Sequence, residues 1–381
     1  MNLHEETARR LPHEPPLATA HLPSVGGRIG SALEDFRVEE IPAYLPCGNG
    51  EHRYVRVEKR GLSTPELVTL IARATRLGER DIGHAGMKDK RAITVQWLSL
   101  PRRSPEAASW KLPSDVKVLE ESYHTNKLRT GHLHGNRFEI RIVDLADDAE
   151  ARLQPLLDVL GKGLLNAFGE QRFGHGGSNI DQALEWLRDP SRLRGRRARF
   201  LSKLYPSVLQ AELFNRYLSA RYCMGLEQLL LGEVVRLQGS GSNFVVKDLA
   251  AEQPRYEQGQ LHPQGPMFGP KMRPAEAQAL ELEGEILEQL RLDPTASETL
   301  GAHAPGTRRD LRVPLDDLSV RFENAEESGT ALRALRIAFS LPAGSFATQL
   351  VRELCHGPWL SSRTASSASD PESPGDDSDE A

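Results

Sequence analysis

The chain has few cysteines and no long apolar run, and both absences narrow what it is. Its 381 residues include three cysteines, Cys47, Cys223 and Cys355. They form no paired spacing, which argues against a disulfide framework or a cysteine zinc site. No stretch approaches the roughly 18 continuous apolar residues of a membrane helix, and the N-terminus MNLHEETARRLPHEPP lacks the apolar centre of a signal peptide. These residues predict a soluble, cytoplasmic protein with no membrane partner. A phosphate loop is also missing, because the glycine-rich stretch Asn166 to Gly174 lacks a Gly-Lys-Ser/Thr ending.

A strong positive charge is absent too, which on its face disfavours a nucleic-acid partner. The net charge of −5 is misleading, however, because residues 361–381 carry six acids against Arg363. The rest of the chain is neutral overall, so the distribution of charge says more than its sum. That serine-rich acidic tail, and the proline-rich N-terminus, have the composition of disordered segments.

Length predicts two domains at roughly 100–200 residues each. Alternation predicts strands over 35–41, 51–58, 92–100, 116–121 and 138–143. A helix follows Thr64 as N-cap with Pro65 at its first position, repeats Leu67, Leu70, Ile71, Ala74 and Leu77 on one face, and closes at Gly78. The character changes near residue 162. Helices are expected at 178–187, 206–223 and 274–291, the second with Leu209, Leu213, Phe214, Tyr217 and Leu218 facing a core. Short strands at 233–237 and 243–247 lie between them. Strands near 316–322 and 331–340 and a helix through Leu354 close the fold, so 162–320 reads as an insertion in one β-rich domain.

The stretch with most chemistry is His84 to Gln96, in which Gly86-Met87-Lys88-Asp89-Lys90-Arg91 precedes a strand. A carboxylate ringed by Lys88, Lys90 and Arg91 is expected to stay ionised, since nearby cations lower a carboxylate pKa. Charge alone also fits a solvated turn. His132 and His134 could be metal ligands, but no third ligand accompanies them. Arg192, Arg194, Arg196, Arg197 and Arg199 form a cationic run that favours RNA contact over a merely solvated face. Without a metal cluster, a Ser-His pair or a dinucleotide motif, Asp89 suits a nucleophile or base acting on a bound anion. The competing reading is a non-catalytic RNA-binding module in which Asp89 only braces its basic neighbours.

Seven motifs, in order, resemble the TruD family of tRNA pseudouridine synthases. They are Glu34-Asp35-Phe36, Gly50-Glu51-His52, Gly86-Met87-Lys88-Asp89-Lys90, Gly135-Asn136-Arg137-Phe138, Phe168-Gly169-Glu170-Gln171-Arg172-Phe173-Gly174, Leu213-Phe214-Asn215 and Leu341-Pro342-Ala343-Gly344-Ser345-Phe346-Ala347-Thr348. The resemblance implies isomerisation of uridine to pseudouridine at position 13 of tRNA without cofactor or metal, and a monomer is expected. Asp89 would be the catalytic aspartate, Phe36 and Phe346 would contact a flipped nucleotide, and Asn136 would hydrogen-bond to it. Lys88, Lys90, Arg91, Arg172, Arg196 and Arg197 are the RNA-contact candidates.

The implied fold is α+β: a pseudouridine-synthase core with a curved mixed, mainly antiparallel sheet and flanking helices, plus an inserted α/β TRUD domain. Its expected segments are a disordered 1–26, core at 27–161 and 321–356, insertion at 162–320, and a disordered tail at 357–381. One departure stands out. The family commonly has Ile-Lys-x-x-Pro-Glu-Asp-Phe where this chain reads Ile29-Gly30-Ser31-Ala32-Leu33-Glu34-Asp35-Phe36. A cation that pairs with Asp89 must then come from elsewhere, and Arg28 is nearest in sequence.

Overall fold

The structure is a computed structural model that describes residues 13–195, 198–290, 292, 294–323 and 333–357. Contacts divide these into two compact units, one from 24–157 and 314–347, the other from 13–23, 158–313 and 348–357. The protein is of the α+β class.

The first unit is a nine-stranded mixed sheet. Its strands are β1 (Gly26–Ile29), β2 (Phe36–Pro42), β3 (His52–Arg60), β4 (Gly83–His84), β5 (Ile93–Pro101), β6 (Val116–His124), β7 (Leu133–Leu145), β8 (Asp316–Glu323) and β9 (Ala334–Pro342). The order is β8-β9-β7-β2-β5-β3-β6, with β1 on β7 and β4 on β5. β2 and β5 run parallel, and the other described pairings in this sheet are antiparallel. Alternation in β3 puts Val55 and Val57 inside, against Leu67 and Ile71 of helix α1 (Thr64–Thr75) and Leu98 and Leu100 of β5. Strand and helix periodicities therefore meet in one core.

Two local predictions for α1 shift by a residue or two. Ser63, not Thr64, caps it: Ser63 Oγ accepts from Glu66 N at 3.4 Å, and Glu66 Oε2 accepts from Ser63 N at 2.7 Å. Arg76 takes the left-handed C-cap conformation expected of Gly78. The release of Thr64 from capping matters at the site below.

The second unit holds an antiparallel sheet with strand order 243–245, 234–237, 261–267 and 307–310. Around it lie helices Ser178–Arg188, Ala198–Cys223, Leu249–Glu257, Ala277–Gln289 and Pro294–His303. Leu209, Leu213, Phe214, Tyr217 and Leu218 are all fully buried, as the helical spacing predicts, although the helix starts earlier, at Ala198. The N-terminal segment differs from expectation. Residues 13–23 are not loose: His13 N donates to Glu212 (3.0 Å), and Ala18 and Thr19 N donate to Glu353 (both 3.0 Å). Two buried carboxylates hold that segment down.

Candidate active site

The register of the first sheet gathers four side chains on one face. Phe36 pairs with Ile140 and Glu40 with Asn136 across β2 and β7, while Lys59 pairs with Thr94 across β3 and β5. Val38 lies abreast of Thr94 in the parallel pair. Paired residues share a face and alternate ones repeat it, so Phe36, Glu40, Lys59 and Asn136 project to the same side. Gly135 permits the tight approach of β7 to β9, since a Cβ there would lie 2.2 Å from the Leu341 oxygen.

The loop 85–92 folds onto this face through three anchors. Thr64 Oγ1 accepts from Lys88 N at 2.9 Å and donates to Gln96 Oε1 at 3.0 Å. The Lys88 ammonium pairs with Glu40 Oε2 at 2.9 Å, the two side chains being 3% and 1% exposed, and Glu40 Oε1 accepts from Trp97 N at 3.2 Å. Beneath the loop, fully buried Lys59 donates to the main-chain oxygens of Leu62, Lys88 (3.5 Å) and Asp89 (3.0 Å).

Asp89 is exposed, yet its carboxyl is raised above the ordinary value, chiefly by desolvation. The charge of Lys59 is the largest opposing effect, followed by the loop's own backbone and Lys88. The residue is thus open to solvent while its surroundings disfavour the charge of its carboxyl. This corrects the expectation that a ring of cations keeps Asp89 readily ionised. Lys88 is spent on Glu40 and is too buried to meet a phosphate. Lys90 pairs with Glu66 at 2.7 Å, and Arg91 is exposed.

Arg28 does not supply the missing cation. It pairs with Asp144 at 2.8 Å. At Gly30 a Cβ would lie 2.0 Å from Asp35 Oδ2, and that carboxylate is fixed by Ala32 N (3.0 Å) and Arg141 (3.3 Å). The position is filled by a neighbour, so no side chain fits there. Lys59, which sequence reading passed over, is the cation that acts most strongly on Asp89.

The remaining candidates fall as follows. Phe36 is half-buried and meets Phe138 edge-on at 6.3 Å. Asn136 Oδ1 is buried with no hydrogen-bond partner, an open acceptor on the face that carries the loop. Leu341 pairs with Asn136, and Ala343 N donates to His134 O at 2.9 Å, which ties the turn carrying half-buried Phe346 to β7. His84, at the start of the loop, is kept below its usual pKa by burial and then by Lys88. Arg172 belongs to the second unit, where its guanidinium lies 5.8 Å from the Phe168 ring centre and burial lowers its pKa. Arg196 and Arg197 lie outside the described residues. His132 Nδ1 is hydrogen-bonded to Tyr44 Oη at 2.7 Å.

Such a site defines a class: an α+β protein presenting an exposed carboxylate, a buried amide oxygen without a partner and aromatic rings beside a sheet face. The family model for tRNA pseudouridine synthase D (TruD) matches residues 16–180 and 197–354. The chain is 42% identical over 344 residues to a tRNA pseudouridine synthase D of Anaeromyxobacter dehalogenans, covering 89% of this chain and 96% of the relative. It is 39% identical over 348 residues to that of Thermus thermophilus, covering 90% and 92%. In fold it matches a crystal structure from Methanosarcina mazei with a TM-score of 0.68 and 21% identity, over 91% of this chain and 97% of that one. The chain belongs to the tRNA pseudouridine synthase D family.

Proposed function

We propose that this protein isomerises uridine to pseudouridine at position 13 of tRNA, with Asp89 as the catalytic carboxylate. The observation that carries this reading is the placement of Asp89 over Lys59, on the sheet face that also bears Phe36 and Asn136. The reaction breaks the bond from uracil N1 to ribose C1′ and makes one from C5 to C1′. The C5 proton leaves and N1 gains one, so atoms and electrons balance without an added oxidant or reductant.

The target nucleotide must leave the stack to reach a carboxylate on a loop. Phe36 and Phe346 give the extruded base an apolar rest. The open Oδ1 of Asn136 takes a donor from it, and uracil N3–H is such a donor. Asp89 then attacks C1′ or takes the proton from C2′, and either role needs the ionised form. Lys90 and Arg91 lie on the exposed side of the loop, suited to RNA phosphates. The three cysteines are free, which suits a reducing cytoplasm. No helix among the described residues is long and apolar enough to cross a membrane. We take the working form to be a monomer with tRNA as its partner.

The test is incubation of wild type and Asp89→Asn with tRNA carrying unmodified uridine 13, followed by carbodiimide mapping of pseudouridine. Wild type should give a stop at position 13, and the variant should bind the same tRNA without product. Wild type that binds and makes nothing would establish a non-catalytic RNA-binding module instead.

A further inference from the structure

The opposite face of the first sheet carries a second polar site. His52, Tyr54 and Arg56 alternate with the inward residues of β3, so they project to the side away from Lys59, where Tyr54 clusters with Ala85 at the start of the Asp89 loop. At that face a cavity of about 480 Å³ is lined by His52, Thr125, Asn126, Lys127, Arg129 and His132. The lining includes two permanent cations and two histidines, with no carboxylate. Burial, then the Lys127 charge, holds His52 below its usual pKa, and Glu51 opposes them only in part.

The polar atoms here are only partly spent on the protein. His52 Nδ1 is buried without a partner. His132 Nδ1 is taken by Tyr44, leaving Nε2 for a ligand. Lys127 donates to the Arg80 carbonyl, and an ammonium has two further protons to give. Arg129 is exposed. The wall itself is firm, because Asn126 O accepts from Tyr54 Oη at 2.9 Å and Leu128 N donates to Ser99 Oγ at 2.9 Å. Two cations beside an unpartnered ring nitrogen, with no carboxylate among the lining residues, are the chemistry of an anion site, and paired guanidinium and ammonium groups suit phosphate.

From these observations we infer that the pocket binds a backbone phosphate of the substrate RNA, with Lys127 and Arg129 as its principal contacts. A cavity of this size, with a mainly polar lining and open to solvent, fits one nucleotide of a longer strand better than a free ion. The pocket also adjoins the catalytic loop. Gly131 N donates to Ala85 O at 2.8 Å, and Ala85 precedes Asp89 by four residues, which bounds that separation at about 14 Å of extended chain. A strand seated at Asp89 therefore reaches the pocket around the end of β7 within a few nucleotides.

This inference rests on tRNA being the substrate, and its test keeps the two apart. Binding of unmodified tRNA by wild type, Arg129→Ala and the double variant Lys127→Ala/Arg129→Ala is measured by filter retention from about 50 to 200 mM salt. Each lost phosphate contact should flatten the log–log salt dependence by about 0.7–0.9, and the double variant should bind at least tenfold more weakly at low salt. Thermal melts establish that the variants fold. Arg129→Gln, which keeps the side chain's bulk, replaces any variant that does not. An active wild type whose variants bind tRNA with unchanged affinity and slope overturns the pocket alone. A wild type that neither binds nor modifies tRNA overturns the functional reading, and this assignment with it. If instead inorganic phosphate raises the melting temperature of wild type but not of the double variant, while tRNA binding is the same in both, the pocket serves free phosphate and the RNA assignment fails.

Discussion

Lys59 donates its ammonium to the main-chain oxygen of Asp89 at 3.0 Å from a fully buried position in β3. The same group fixes the oxygens of Lys88 and Leu62, so one buried cation both shapes the loop and offsets desolvation of the carboxylate it carries.

Replacing Lys59 should therefore change the chemistry as well as the fold. Lys59→Met leaves buried carbonyls unmatched, at about 1–3 kcal/mol for each one left without a donor. It also removes the largest effect that lowers the Asp89 pKa. Since the role proposed for Asp89 needs its ionised form, the acid limb of the single-turnover rate should move to higher pH in Lys59→Met, while Lys59→Arg should hold it near the wild-type position. A limb that stays put in Lys59→Met would show that the lysine has a purely structural role.

Glu40→Gln should be among the most damaging single changes in the first unit. It leaves the Lys88 ammonium buried without its counter-charge, and breaking such a pair typically costs about 3–5 kcal/mol. Urea unfolding should register that loss. The double variant Glu40→Leu/Lys88→Leu, with no stranded charge, should recover much of it. Equal stability of Glu40→Gln and wild type would mean that the pair is open to water.

Most strands of the first sheet and α1 were legible because alternation and helical spacing report which face is buried; the Asp89 loop stood out by its charges and by the family resemblance, and its anchoring through buried Lys88 and Glu40 was not legible. Neither was Lys59. A lysine near a strand end reads as solvated, and the available signal was its phase, two residues from Val57 and four from Val55 on the inward side of β3. Glu40 hides in the same way behind Val38. The order of residues 13–23 had no local signal at all, because the carboxylates that hold it, Glu212 and Glu353, lie 199 and 335 residues away. The second-unit helix at 206–223 was legible since five large apolar residues share one stripe. Its early start at Ala198 was hidden by Pro206, which reads as a helix boundary.

Gly30→Lys should not improve this enzyme, even though it brings the sequence nearer the common family motif. Its Cβ would overlap the Asp35 carboxylate, which is anchored to Ala32 and Arg141, and overpacking of this kind costs about 1–3 kcal/mol. The expected result is a lower urea midpoint and no gain in single-turnover rate. A variant as stable as wild type would show that the Leu33–Asp35 turn yields readily.

Asp89→Asn should abolish product while making the fold more stable at neutral pH. The Asp89 pKa is raised in the folded state, so the protonated acid is favoured there and the ionised form is penalised. Relative to the acid form, the wild-type protein loses stability as pH climbs from the unfolded-state pKa through the higher folded-state value. The asparagine variant has no proton to lose and escapes that decline. Melting curves of both proteins at several pH values should give a small gap in acid, widening in favour of Asp89→Asn as the carboxylate ionises and levelling off above the folded-state pKa. A gap that is constant with pH, or that favours wild type at neutral pH, would mean that the carboxylate is well solvated or fully compensated by Lys59.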